Sequence, residues 1–323
     1  MLPPHIETKP APPAPQFLTK VPRRGYVWWY VDAVSDDQRY GLTIIGFIGS
    51  VFSPYYALAR RRGRTDPTQH CAMNVVLYGA SGHRWAMTER SSSALNQGAR
   101  SFAVGPSSMH WDDSGLTVNI DEITNPFPSR LRGTVRLQPK ALGQTAFVLD
   151  SNGRHTWQPI APIARVELTL EKPALTWSGS GYFDTNAGSE PIEDGFATWD
   201  WSRSVEAAGT RMFYDCIRRD GSPYNLAIKI GPDGAPHAIA APPRAKLSTT
   251  AWGIARATRS ETLNDARVVE TLENTPFYAR STVQGRIGGD LVTSMHESLN
   301  LNRFKSPVVQ AMLPFRMPRR GGA

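Results

Sequence analysis

The chain is a succession of short segments rich in aromatic and β-branched residues, separated by turns. Residues 26–34 read Tyr-Val-Trp-Trp-Tyr-Val-Asp-Ala-Val, and turn residues such as those at 79–82 and 112–115 separate later segments. No helical period runs longer than about ten residues, the usual minimum for a helix, and only residues 52–62 suggest a short one. Many short strands at this spacing predict an all-β protein made of antiparallel sandwiches or barrels.

The length of 323 residues is enough for two β-domains of ordinary size. Prolines recur through the start of the chain, and we predict a disordered, Pro-rich tail over residues 1–20. Further prolines at 159, 162 and 173 punctuate the middle of the chain. We therefore predict a domain boundary near residue 157, with one barrel over residues 21–157 and a second over residues 158–318.

Charge and cysteine usage narrow the possible functions. The net charge is +8, and the densest basic run is Arg60-Arg61-Arg62 with Arg64, which fits either a solvated surface or attraction to an anionic membrane. The arginines are scattered without a nucleic-acid-binding signature, so nucleic acid is not an expected partner. The two cysteines give neither a disulfide framework nor metal-ligand spacing, and no Walker loop or dinucleotide fingerprint occurs. We expect neither a metal centre nor nucleotide chemistry.

Two stretches pair a titratable group with a ring two residues away: His155 with Trp157, and Tyr182 with Asp184. Residues two apart in a strand point to the same face. A carboxylic acid can donate a proton, ring faces stabilise a cation by about 0.5–2 kcal/mol, and a histidine can manage water. This combination suits a reaction that passes through a carbocation.

Each of these residues also has an ordinary interpretation. Asp184 precedes a Thr-Asn-Ala-Gly turn signal, His155 follows another, and the two rings could simply belong to a core. An aspartate is normally ionised at neutral pH, so Asp184 could donate a proton only among desolvating groups such as Tyr182 and Trp177.

Other clusters of charged and aromatic residues compete with these pairs, although such clusters more often serve packing or structural ion pairs. They are Trp28, Tyr30 and Asp32 on one strand face, Asp121 and Glu122 near His110, residues 199–203, and His296 with Glu297.

Several segments together make the sequence resemble the carotenoid 1,2-hydratases, or hydroxyneurosporene synthases, of purple bacteria. The resemblance spans residues 26–315 and rests on segments 28–33, 49–56, 84–90, 105–111 and 181–188. It implies two lipocalin-like antiparallel β-barrel domains in tandem. It also implies a hydro-lyase that adds water to the terminal double bond of acyclic carotenoids such as lycopene and neurosporene, without a cofactor. The positions that match the family's functional motif are His155, Trp157, Tyr182 and Asp184.

These positions suggest a mechanism. We expect neutral Asp184 to protonate the alkene, Trp157 and Tyr182 to stabilise the tertiary cation, and His155 to orient or deprotonate water. Because the predicted boundary separates the two pairs, we expect them to meet at the junction between barrels. Since the substrate resides in membranes, we expect peripheral attachment to the cytoplasmic side of the inner or intracytoplasmic membrane of a photosynthetic bacterium.

Three alternatives stay open at this point. The chain could be a non-catalytic carrier of carotenoid or another isoprenoid, because barrels of this type commonly only bind. It could be a cyclase that also protonates an alkene, or an assembly protein of the photosynthetic membrane. The sequence leaves the preferred carotenoid, hydration at one or both ends, and the oligomeric state undecided.

Overall fold

The structure is a computed structural model that describes residues 2, 6–79, 82–206 and 209–320. Its contacts divide the chain into a large unit, Thr8–Pro191 with Ala311–Ala323, and a small unit, Met1–Glu7 with Ile192–Gln310. Every pairing between the strands of either unit is antiparallel, which confirms the predicted all-β class. Among the described residues, no helix is both long and apolar enough to cross a membrane.

The strands of the large unit are β1 Thr8–Pro10, β2 Tyr26–Ser35, β3 Tyr40–Ile48, β4 Cys71–Gly79, β5 Arg84–Arg90, β6 Leu95–Gln97, β7 Ser101–Val104, β8 Ser107–Asp112, β9 Gly115–Ile123, β10 Arg130–Ala141, β11 Thr145–Val148, β12 His155–Lys172 and β13 Leu175–Gly188. Those of the small unit are β14 Phe196–Glu206, β15 Gly209–Arg218, β16 Pro223–Ile230, β17 Pro236–Ala238, β18 Arg244–Leu247, β19 Arg256–Arg259, β20 Arg267–Asn274, β21 Tyr278–Ile287 and β22 Asp290–Asn300. The α-helices are α1 Pro54–Arg61, α2 Ile192–Gly195, α3 Leu301–Phe304 and α4 Pro307–Met312.

The large unit is one sheet in the order β5-β4-β3-β2-β13-β12-β10-β9-β8-β7-β6, with β11 added beside β12 and β1 beside β11. The sheet curls into a nearly closed barrel, because β5 at one end of this order packs against β9. Its interior is filled by apolar side chains that include Phe17, Trp29, Phe102, Val118 and Phe183. The interior of the barrel is therefore a packed core.

Strands β2, β3 and β4 are buried on both faces, whereas β10 alternates between buried and exposed residues. In β2, Val27, Trp29, Val31 and Ala33 point into the barrel core. The alternate residues of β2 point to the opposite face, which is also buried. Burial on both faces explains why these strands appear in the sequence as nearly continuous apolar runs.

The chain divides between Pro191 and Ile192 rather than near residue 157. Strand β12 runs without a break from His155 to Lys172 and pairs with β13 throughout. Pro159 and Pro162 lie in β12 where its register with β13 shifts, between Pro159 and Ala161 and between Ala161 and Ala164, and Pro173 lies in the turn between the two strands. A bulge accommodates a residue that cannot donate a backbone hydrogen bond, so a strand can continue through proline there.

The predicted disordered tail is wrong for most of its length, while residues 1 and 3–5 lie outside the described residues. Strand β1 pairs with β11, and the Phe17 ring is fully buried in the barrel core. The Pro12 carbonyl accepts a hydrogen bond from Gln158 Nε2 at 2.7 Å, and the Phe17 carbonyl accepts one from Gln97 Nε2 at 2.7 Å. Prolines lack a donor but keep their acceptor, so this segment binds to the barrel through its carbonyls.

The C-terminal residues pack on the large unit, although the sequence assigned residues up to 318 to the second barrel. Glu89 on β5 and Arg319 form a parallel bridge, and the Arg319 guanidinium pairs with the buried Glu89 carboxylate. The Glu89 amide donates to the Pro318 carbonyl at 3.0 Å, and the Arg320 amide donates to the Glu89 carbonyl at 3.0 Å. The segment thus covers the outer edge of β5, at one end of the sheet.

Helix α1 confirms the short helix predicted over residues 52–62. Ser53 caps it, with its Oγ accepting from the Tyr56 amide at 2.9 Å, and Pro54 occupies the first turn. The small unit has its own sheet, in the order β17-β16-β15-β14-β22-β21-β20, and a separate β18-β19 pair. Two β-units in tandem were predicted, and the structure contains two.

Candidate active site

All four predicted site residues lie on β12 and β13 of the large unit. His155 and Trp157 begin β12, and Tyr182 and Asp184 lie in the second half of β13. The register pairs His155 with Gly188, Trp157 with Asn186 and Pro159 with Asp184. Directly paired residues of antiparallel strands share a face, so all four side chains lie on the sheet face opposite the barrel core. They occupy one unit, and the expected arrangement on either side of a domain boundary is wrong.

The carboxyl group of Asp184 binds two of the other predicted residues. Trp157 Nε1 donates to Asp184 Oδ2 at 2.9 Å, and the Tyr182 hydroxyl donates to the same oxygen at 2.7 Å. Asp184 is 4% exposed, and both rings are fully buried. Because both donors reach Oδ2, the neutral form of the acid would carry its hydrogen on Oδ1.

Aromatic rings surround this carboxyl group. Tyr30 on β2 is the cross-strand partner of Asp184, and its ring lies edge-on to that of Tyr182 with centroids 6.2 Å apart. The Trp157 ring packs against Phe147 at 5.2 Å. A cation formed beside Asp184 would therefore lie among ring faces and away from bulk water.

His155 belongs to a second cluster. Its Nδ1 is 2.9 Å from the Tyr26 hydroxyl and its Nε2 is 3.4 Å from Glu190 Oε1, while its backbone amide donates to Asp150 Oδ1 at 2.7 Å. A carboxylate only accepts hydrogen bonds, so the ring carries its proton on Nε2, and Nδ1 accepts from Tyr26. Both ring nitrogens thus bind side chains of the protein.

Burial lowers the pKa of His155 below its usual range, against the opposing effect of the Asp150 and Glu190 carboxylates. The imidazole is therefore neutral at neutral pH. Gly188 makes this cluster possible, because β13 separates Tyr26 on β2 from His155 on β12. A Cβ at Gly188 would lie 2.4 Å from Tyr26 Cε1 and 2.9 Å from His155 Nδ1, so only glycine leaves room for the two side chains to meet.

The two clusters are separate. The cross-strand partner of His155 is Gly188, four residues along β13 from Asp184. At about 3.3 Å per residue, this register places the two positions roughly 13 Å apart along the strand. Hydrogen bonds join Trp157 and Tyr182 to Asp184, whereas the hydrogen bonds described for His155 join it to Tyr26, Glu190 and Asp150.

Three further residues of the site were missed by the sequence reasoning: Tyr26, Asp150 and Glu190. Tyr26 could have been found, because it continues the same-face series Trp28, Tyr30 and Asp32 by one step of two. Asp150 and Glu190 lie in loops next to β12 and β13, where no periodicity applies.

Two of the competing clusters of charged residues contain ion pairs. Glu122 binds Arg90 at 2.9 Å and Ser107 at 2.9 Å, and Asp121 binds Arg130 at 2.7 Å. In the small unit, burial raises the pKa of Asp200 to about 7, although Arg244 lies 2.6 Å from its carboxylate. These contacts fit the structural interpretation that such clusters usually have.

A family model and two related proteins identify the family of this chain. The family model for the carotenoid hydratase CrtC matches residues 44–323. The chain is 55% identical over 309 residues to an acyclic carotenoid 1,2-hydratase of Thiocapsa roseopersicina, covering 95% of this chain and 76% of that protein. It is 49% identical over 310 residues to one of Rubrivivax gelatinosus, with the same coverage. Among solved structures, the AttH protein of Nitrosomonas europaea superposes with a TM-score of 0.54 at 14% identity, covering 89% of this chain and 99% of that one.

Proposed function

We propose, since the chain belongs to the carotenoid hydratase CrtC family, that it adds water across the terminal 1,2 double bond of acyclic carotenoids such as lycopene and neurosporene. The observation that carries this proposal is the buried carboxyl group of Asp184, held by two donors among aromatic rings. An isolated trisubstituted alkene is a weak base with no activating carbonyl, so its hydration begins with a proton from a positioned acid.

In the proposed reaction, neutral Asp184 gives its proton to the less substituted alkene carbon. The π electrons form the new C–H bond, and a tertiary cation remains at the neighbouring carbon. Water then forms the C–O bond and loses one proton, which leaves a tertiary alcohol. No electrons are gained or lost overall, so the reaction requires no redox cofactor.

Trp157 and Tyr182 have two roles in this scheme. Their N–H and O–H groups stabilise the carboxylate that Asp184 becomes when it has given up its proton. Their ring faces, with that of Tyr30, stabilise the cation formed beside it. Both roles act on charge that develops during the reaction, which is how such contacts accelerate it.

The role expected for His155 changes with the geometry. The register puts the backbone positions of His155 and Asp184 roughly 13 Å apart along the strand. With both ring nitrogens bound to Tyr26 and Glu190, we assign His155 to holding the ends of β2, β12 and β13 together. It is then a positioning residue.

The carrier alternative would place a ligand inside the barrel, as barrels of this size that bind small ligands do. Within the described part of the large unit, that space holds the side chains of the core. The acid and its donors lie on the opposite face of the sheet, which favours an enzyme over a carrier.

Expression in a lycopene-producing host tests the proposal. Cells with the wild-type protein should accumulate hydroxylated carotenoid on chromatography, and cells with Asp184→Asn should keep lycopene. Asp36→Asn, which changes an exposed carboxylate paired with Arg165, is the matched control and should behave as wild type. Lycopene that binds tightly to the purified wild-type protein without conversion would favour the carrier.

We also propose that the protein attaches to an anionic membrane surface on the cytoplasmic side, where its substrate is dissolved. The attachment site would be the basic surface, formed by the exposed residues Lys20, Arg23, Arg24, Arg61, Arg62 and Arg64. Two contacts join its parts: the Arg24 amide donates to the Thr65 carbonyl at 2.9 Å, and Arg23 Nε donates to Thr65 Oγ1 at 2.9 Å.

Apolar groups lie among these cations. Leu18 is 67% exposed and Leu58 is 41% exposed. A groove of about 580 Å³ is lined by Leu18, Lys20, Val21 and Arg23, among others. Exposed cations beside exposed leucines fit a surface of anionic headgroups over acyl chains.

Flotation with liposomes tests this surface. Each basic residue near an anionic membrane contributes about 1 kcal/mol, so Arg61→Glu/Arg62→Glu/Arg64→Glu should weaken binding to phosphatidylglycerol liposomes by about 100-fold or more at low salt. The matched control changes Arg132, Arg136 and Lys140 of β10 to glutamate, with the same change in net charge. Equal binding by both variants, or equal binding to uncharged liposomes, would contradict the assignment.

A further inference from the structure

The geometry points to a water-binding site beside Asp184, and we propose that Asp32 on β2 holds the reacting water there, together with Thr43 on β3, and accepts its proton. This inference rests on the proposed hydration. It names the group that handles water, whereas both ring nitrogens of His155 bind Tyr26 and Glu190.

The strand register brings Asp32 to this place. Its cross-strand partners are Tyr182 on β13 and Thr43 on β3, so the three side chains lie in one row on one sheet face. Directly paired residues have Cβ atoms about 4.5–5.5 Å apart, and diagonal neighbours lie at about 7 Å. Asp184 pairs with Tyr30, two residues from Asp32, so the two carboxyl groups are diagonal neighbours.

The row is polar and buried. Asp32 and Tyr182 are fully buried, and Thr43 is 3% exposed. Within the described residues, Thr43 Oγ1 is buried without a hydrogen-bond partner. A buried hydroxyl left unsatisfied destabilises the fold, and a water bound between Thr43 and Asp32 would satisfy it.

The register of the two carboxylic residues allows the addition of water. Inverting glycosidases, which use one carboxyl group as acid and another to activate water, hold these groups roughly 6.5–9.5 Å apart. The diagonal register places the Cβ atoms of Asp32 and Asp184 about 7 Å apart, so their carboxyl groups can take a separation of this kind. An acid and a base so arranged can serve adjacent carbons of one double bond.

The reaction combines two proton transfers with the formation of one C–O bond. Asp184 donates its proton to one alkene carbon and becomes a carboxylate. The water oxygen bonds to the cationic carbon, and its extra proton moves to the Asp32 carboxylate. The Tyr182 hydroxyl, which donates to Asp184 Oδ2 and lies opposite Asp32 in the register, can give its proton to Asp184 and take the one from Asp32, so that Asp184 is again a neutral acid.

An experiment in deuterium oxide separates protonation of the alkene by Asp184 from activation of water by Asp32. Without capture by water, the cation can return a proton to the Asp184 carboxylate and re-form the alkene. In deuterium oxide, repeated protonation and return would label the recovered lycopene. The full-length protein is incubated with lycopene in phosphatidylcholine liposomes, and hydrated product and deuterium in recovered lycopene are both measured by mass spectrometry.

Asp32→Asn should lower hydration by about 100-fold or more, the contribution of a general base, while labelling of recovered lycopene persists. Asp184→Asn should abolish both. Hydration by Asp32→Asn at the wild-type rate, or loss of both hydration and labelling, would overturn the role assigned to Asp32. A wild-type protein that does not hydrate lycopene would overturn the proposed function itself, and with it this assignment.

Thr43 supplies a second variant that removes only one group. Thr43→Val should lower hydration with labelling retained, and Thr43→Ser should restore it by returning the hydroxyl. Thr88→Val is the matched control, because Thr88 is buried on the core-facing side of the same sheet, opposite Met73. If Thr43→Val and Thr88→Val lower the hydration rate equally, Thr43 contributes only to packing.

Discussion

Trp157→Phe and Tyr182→Phe each remove one hydrogen bond to Asp184 and keep an aromatic ring in place. Both bonds end on the same oxygen, at 2.9 and 2.7 Å, inside a site from which bulk water is excluded. The two replacements therefore separate stabilisation of the carboxylate from stabilisation of the cation.

The expected decrease in kcat follows from the change in charge on Asp184 during the reaction. A hydrogen bond between neutral groups contributes about 0.5–1.5 kcal/mol, and one to a charged group about 1.5–3 kcal/mol. The difference, about 1–1.5 kcal/mol, is gained only as the carboxylate forms, so each variant should lower kcat by about 5- to 15-fold. Because the bonds share one acceptor, the effects in the double variant should not simply add.

Initial rates with purified protein and lycopene in liposomes, followed by chromatography, measure these effects. Trp177→Phe is the matched control, since the Trp177 ring lies in the barrel core and its Nε1 has no hydrogen-bond partner among the described residues. Its kcat should stay at the wild-type value. A Trp157→Phe or Tyr182→Phe variant with wild-type kcat would refute the idea that these donors stabilise a carboxylate formed during the reaction.

Three other outcomes are expected. Burial lowers the pKa of His296 to about 4 from an unfolded value of 6.5, so the unfolded state binds the proton first and stability falls as pH decreases from 6.5 toward 4. Between pH 7 and pH 5, the free energy of unfolding measured in urea should therefore fall by about 2 kcal/mol less in His296→Gln than in the wild-type protein. Equal falls in the two proteins would contradict this reasoning. Arg319→Met should lower the free energy of unfolding by about 2 kcal/mol because it leaves the buried Glu89 with one fewer partner; Arg320→Met is the control and should have little effect. Protein dialysed against a chelator should retain its activity, and a loss restored by a metal ion would count against cofactor independence.

Same-face periodicity predicted the core of the site. Two-residue spacing placed Tyr182 with Asp184 and Trp157 with His155, and the structure retains both alignments. The contact between Trp157 and Asp184 could not be predicted in this way, because it depends on the register between β12 and β13. That register shifts at Pro159 and again after Ala161, and no local pattern encodes the shifts.

The same register explains the errors. The prolines of β12 were interpreted as a domain boundary, but they occupy bulges inside one long strand. His155 was expected to handle the reacting water, and the pairing places it opposite Gly188, four residues along β13 from Asp184, so its part in the reaction stays a prediction. The N-terminal prolines suggested disorder, although Phe17 anchors that segment in the barrel core. In each case a tertiary contact determines the structure against the preference of the local sequence.

The fold class was more accessible, because it depends on many strands and not on one register. Strands buried on both faces, such as β2 and β3, kept their aromatic and β-branched composition even where alternation was weak. The sheet face opposite the barrel core carries Tyr30 and Asp32 on β2 and Asp184 on β13. A nearly continuous apolar strand with an acidic residue among the positions of one face therefore indicates such a site.

Water labelled with heavy oxygen shows whether Asp184 begins the hydration. Purified wild-type protein is incubated with lycopene in this water, beside Asp184→Asn and the Asp36→Asn control. Because Asp184 supplies the first proton, the wild-type protein and Asp36→Asn should form a tertiary alcohol that carries the label, and Asp184→Asn should form none. Labelled alcohol formed by Asp184→Asn at the wild-type rate would contradict the assignment of Asp184 as the acid that begins hydration.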